Sequence, residues 1–112
     1  MKTMTLLAVL PLLLFAGVPS GAPQAARQAA QANTIAIDNF TFQAATLTVT
    51  AGTEVTWVNK DDVPHKVVST DRQFSSPVLD TDGRFSYTFA TPGTYEYFCS
   101  IHPTMKGKVI VR

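Results

Sequence analysis

The stretch YFCSIHPTMKGKV, residues 97–109, spaces three soft donors evenly: Cys99, His102 and Met105. A thiolate, an imidazole and a thioether at positions i, i+3 and i+6 converge on one point if the chain curls into a loop, and Pro103 inside the run argues against a helix. Taken singly, each has a plain structural role. Cys99 can be a small buried apolar residue, Met105 core filler, and a histidine can be satisfied by backbone groups. Taken together they read differently, because a lone cysteine forms no disulfide within the chain and three rare donor types share seven positions.

The donor set selects among metals. Zinc takes thiolate, imidazole and carboxylate and gains little from a thioether. Two imidazoles, one thiolate and a long axial thioether make up a blue-copper electron-transfer centre. That set needs a second histidine, and the chain has one more, His65 in VNKDDVPHKVV. Its placement between two strand-like runs is compatible with a neighbouring strand end.

The elements that must position these donors are short β-type runs. TLTV at 46–49 alternates Leu47 and Val49, AGT at 51–53 turns the chain, and EVTWVN places Val55 and Trp57 on one face, which reads as a hairpin. RFSYTFA alternates Phe85, Tyr87 and Phe89, TPG at 91–93 turns, and TYEYFC alternates Tyr95, Tyr97 and Cys99. TIAID, FTF, HKVVS and GKVIVR complete the pattern. Seven to eight short strands with no amphipathic helix imply an all-β sandwich or small barrel over residues 34–112. Residues 70–83 carry the weakest pattern and are expected to loop across one edge.

With 112 residues, 46% hydrophobic, the chain suits one domain with a modest core. Its nine basic residues are scattered and the formal charge is +1, so a nucleic-acid-binding footprint is missing. The N-terminus begins with Lys2, runs through apolar residues 5–18 with Pro11 among them, and continues into small residues. That span is short of the roughly 20 residues of a membrane helix and reads as a signal peptide, 1–22, with cleavage anywhere in 20–32; retention as an anchor is the alternative. Residues 23–33, rich in Ala and Gln, read as a flexible lead. Loss of residues 1–32 removes Lys2 and Arg27, leaving seven basic and eight acidic residues and a net charge of −1. A periplasmic or secreted monomer is expected.

TWVNKDDVPHKVV followed by GTYEYFCSIHPTMKGKVIV resembles the cupredoxins, and within them the amicyanin branch, whose ligand loop has the same C-x2-H-x2-M spacing. Plastocyanin-like and pseudoazurin-like members usually have a longer gap between histidine and methionine. The resemblance implies a Greek-key β-sandwich, one copper ion held by His65, Cys99, His102 and Met105, and outer-sphere electron transfer rather than catalysis. It further implies that Asn59 ties the loop of the first histidine to the cysteine-bearing loop, and that redox partners dock near His102. An amine dehydrogenase donor and a c-type cytochrome acceptor are the partners it suggests. The branch usually has proline just before the loop histidine, where this chain has Ile101. The isoleucine N–H is therefore expected to donate to the Cys99 sulfur and raise the reduction potential. Two other readings remain. A copper oxidase or nitrite reductase needs a second histidine-rich centre, and a copper storage or delivery protein would use the same soft ligands.

Overall fold

The computed structural model describes residues 33–112; the expected signal segment, its cleavage window and all of the lead except Asn33 lie outside the described residues. Eight strands follow one another: β1 (Thr34–Asp38), β2 (Thr41–Gln43), β3 (Thr46–Val49), β4 (Thr53–Asn59), β5 (Val67–Ser69), β6 (Arg84–Phe89), β7 (Gly93–Cys99) and β8 (Lys106–Val111). They form two four-stranded sheets, ordered β2-β1-β4-β6 and β3-β8-β7-β5. Pairs β1–β4 and β3–β8 are parallel and the others antiparallel. Among the described residues no helix is long and apolar enough to cross a membrane.

The alternation seen in sequence sets the inner faces. Ile35, Ile37, Val55, Trp57 and Phe89 of the first sheet meet Val49, Tyr95, Tyr97, Val109 and Val111 of the second in one core. Aromatic rings bridge the sheets. Trp57 meets Tyr97 edge-on at 5.3 Å between centroids, Phe42 meets Tyr97 at 4.7 Å, and Phe89 meets Tyr95 at 5.0 Å. Each fully buried aliphatic side chain contributes on the order of 1.5–3 kcal/mol, so the sandwich is a stiff platform for the loops at its ends. Burial also pushes the Tyr97 hydroxyl up to about 12, keeping it neutral.

The expected hairpin of residues 46–59 is not one. β3 and β4 lie in different sheets, and the turn between them crosses the sandwich. Its N–H groups bond across the structure, Ala51 to the Arg112 carbonyl at 2.9 Å and Gly52 to the Phe89 carbonyl at 2.7 Å. Gly52, at φ +90°, supplies the left-handed residue this crossing requires. Alternation shows which side chains face the core but not which sheet a strand joins, because both sheets bury the same kind of face. Residues 70–83 do cover an edge: Ser75 bridges to Val68 and Leu79 to His65, outside β5.

Gly107 sits opposite Tyr97 in the β7–β8 ladder, and a Cβ built there would collide with the Tyr97 ring. Gly107→Ala should therefore destabilise the domain by about 1–3 kcal/mol through overpacking, read as a lowered midpoint in denaturant titration; a midpoint equal to wild type would show that the ring moves freely.

Candidate metal centre

Three donors meet at one end of the sandwich. Cys99 is the last residue of β7, His65 follows the 60–64 loop after β4, and His102 lies in the 100–105 loop before β8. Antiparallel pairing of β5 with β7 sets Val67 opposite Cys99, which brings His65, two residues earlier, to the same end. On its other side His65 exchanges two backbone bonds with Leu79, at 3.0 and 2.7 Å. The first histidine is thus fixed between a core strand and the edge segment.

The 100–105 loop does curl. Met105 N–H donates to the His102 carbonyl at 2.9 Å, and Cys99 N–H donates to the Met105 carbonyl at 3.1 Å. This closes the loop on itself and turns His102 back over Cys99. Met105 is buried, 4% exposed, in contact with the core.

The Cys99 sulfur lies 3.7 Å from His65 Nδ1 and 3.8 Å from His102 Nδ1. All three donor atoms fall within 4.8 Å of one another. A metal about 2.0–2.1 Å from imidazole nitrogen and about 2.3 Å from thiolate sulfur, with bonds roughly 120° apart, separates nitrogen from sulfur by about 3.7 Å. Both nitrogen–sulfur separations therefore suit a single ion held by the two imidazoles and the thiolate. His65 and Cys99 are fully buried and His102 half-buried.

Asp61, a residue the sequence reading passed over, completes the arrangement. Its Oδ2 lies 2.7 Å from His65 Nε2, and its two oxygens accept the N–H groups of Asn39 at 2.6 Å and Phe40 at 3.0 Å. Burial pushes the carboxyl upward, but the bonds from Phe40 N–H, the His65 ring and Asn39 N–H outweigh it and hold Asp61 below the usual carboxylate range. An ionised acceptor at Nε2 places the His65 proton there and leaves the Nδ1 lone pair facing the sulfur. The sequence signal was an acid four residues before His65, but Asp61 and Asp62 stand side by side and only the fold chooses between them.

Asn59 does not make the expected tie to the cysteine loop. Its Nδ2 donates to the Val63 and Leu79 carbonyls, both at 2.8 Å, and its Oδ1 accepts Asp61 N–H at 2.9 Å. It braces the first histidine's own loop instead. The link between the two loops is made by backbone: Lys66 N–H donates to the Cys99 sulfur at 3.4 Å, and Ser100 N–H to the Lys66 carbonyl at 3.3 Å. Ile101 N–H is likewise not the sulfur's donor. The curl that carries His102 inward leaves Ile101 at the surface, 42% exposed, and Lys66 occupies the donor position because β5 runs alongside β7. The potential shift expected from an Ile101–sulfur bond has no basis in this geometry.

A cupredoxin-like domain model matches residues 5–111. The chain belongs to the cupredoxin family. Amicyanin-alpha of Methylorubrum extorquens is 35% identical over 102 residues, 86% of each chain. A purple cupredoxin structure from Nitrosopumilus maritimus superposes with a TM-score of 0.67 at 35% identity, covering 70% of this chain and 98% of that one. The copper-containing nitrite reductase of Thermus scotoductus shares the fold, TM-score 0.66 at 36% identity over 70% of this chain, but only 22% of the enzyme is covered. The cofactor of this cupredoxin is copper, with His65, Cys99 and His102 grouped at its site.

Two outcomes follow from the geometry. Cys99→Ser should abolish intense visible absorption of the copper-loaded protein while leaving a folded β domain by circular dichroism, and a variant that stays blue would refute the role of the sulfur. Asp61→Asn, which replaces the anionic acceptor at His65, should weaken copper binding about 10–100-fold, measured by competition with a chelator; unchanged affinity would make the carboxylate a purely structural group.

Proposed function

We propose that this cupredoxin is an exported carrier of single electrons, with His65, Cys99, His102 and Met105 as the residues that would hold its copper ion. The observation that carries this reading is the convergence of both Nδ1 atoms on the Cys99 sulfur at 3.7 and 3.8 Å. Bound there, copper supplies one-electron cycling between Cu(II) and Cu(I), and the thiolate dominates its electronic structure. The protein's part is to keep the donors in place. His65 and Cys99 are fully buried, and the backbone bonds of the curled loop leave His102 little room to move.

His102 is the half-buried member, flanked by Phe40, 48% exposed, and Ile101. Partners are proposed to meet the protein at this apolar rim, through a small, transient contact. Resemblance to amicyanin supports an amine dehydrogenase as donor and a c-type cytochrome as acceptor, in the periplasm or outside the cell. A catalytic role gains no support: both histidines of the chain face Cys99, so a second histidine-rich centre has no donors here.

Storage or delivery uses the same ligands but needs exposed sites that release copper, whereas His65 and Cys99 are 0% exposed. Optical spectroscopy with voltammetry on the copper-loaded protein separates the two. A carrier gives an intense blue band and a reversible one-electron wave; a colourless protein that holds only Cu(I) and surrenders it readily contradicts the proposal.

A further inference from the structure

The β1–β2 connection has an unusual residue. Asn39 and Phe40 are the two residues between Asp38 and Thr41, which pair across the hairpin, and they lie at φ +54° and +57°. Two-residue hairpins of this left-handed kind favour Asn followed by Gly, because a bulky side chain at positive φ is strained. Here the glycine position holds phenylalanine. Strain of this type persists where the surroundings enforce it and points to a use for the side chain.

Both the enforcement and the use are visible. Asp61 accepts the N–H groups of both turn residues, so the carboxylate that holds His65 also locks the turn. The Phe40 ring stands edge-on to both imidazoles, 5.6 Å from His65 at 87° and 5.0 Å from His102 at 89°. The imidazoles are themselves 5.0 Å apart. Turning His102 Nδ1 away from the sulfur would require its ring to slide against Phe40. Edge-to-face contact is the favoured arrangement of such rings.

We propose that Phe40 is an aromatic clasp, a positioning residue whose ring keeps His65 and His102 turned toward Cys99 and slows the exchange of copper. This rests on the copper reading given above. A ring selected only to build the turn would be replaceable by glycine at no cost to the metal, since glycine fits the backbone better.

The test compares full-length wild type, Phe40→Gly and Phe40→Tyr, loaded with copper, reduced, and mixed with excess Cu(I) chelator. Phe40→Gly should lose copper about tenfold faster or more, in line with the loss expected for groups that orient ligands, with its oxidised visible spectrum altered. Phe40→Tyr, which restores the ring, should stay within about twofold of wild type on that same scale. The proposal is overturned if the glycine variant releases copper at the wild-type rate, or if the tyrosine variant releases it as fast as glycine. A wild type with no blue band overturns the carrier reading and the clasp with it, whereas a blue wild type with an indifferent glycine variant overturns the clasp alone.

Discussion

The Asp61 carboxylate is the constraint on which the metal end of the molecule depends. It is 9% exposed and accepts three donors from two parts of the chain: Asn39 and Phe40 N–H in the first hairpin and the His65 ring after β4. A buried carboxylate without such partners would be expelled or protonated; with them, ionised hydrogen bonds hold it in place. Its backbone is anchored as well, the N–H by Asn59 at 2.9 Å and the carbonyl by Thr81 Oγ1 at 2.6 Å. The carboxylate thereby transmits the rigidity of the sandwich to a ligand that lies in no strand.

The second constraint is the closed 100–105 loop. Its backbone bonds run between the residues that frame the site, so the geometry of the ligands is set by the same bonds that hold the loop shut. Under the carrier reading proposed above, a donor set fixed in this way would keep reorganisation between Cu(II) and Cu(I) small. It also explains why the ligands can lie so close in sequence without a helix: Pro103 prevents one, and the turn closed by Met105 N–H replaces it.

Much of this was legible in the residues. The donors are rare in the chain, one cysteine and two histidines, so their grouping could be read without a structure. The alternation in β6 and β7 is local and showed which side chains face inward. What escaped was non-local. β3 and β4 look like a hairpin because the sequence between them is a turn, yet β3 pairs with β8, and β4 with β1 and β6. The sulfur's donor is a main-chain N–H at Lys66, and backbone groups leave no signature in residue type. For that reason residue type points to Asn59 and Ile101 for bonds that the Lys66 and Ser100 main chain makes. Phe40 reaches the imidazoles only through the hairpin that carries it, although a phenylalanine in a two-residue turn was itself a readable anomaly.

The central claim is that two imidazoles and one thiolate of a single chain hold one copper in a geometry that serves both oxidation states. X-ray absorption spectroscopy of the oxidised and the reduced protein tests it most directly. The structure predicts one short copper–sulfur bond and two copper–nitrogen bonds per ion in both states, with only small changes on reduction. A first shell with two short sulfur bonds, or with nitrogen and oxygen alone, would contradict it.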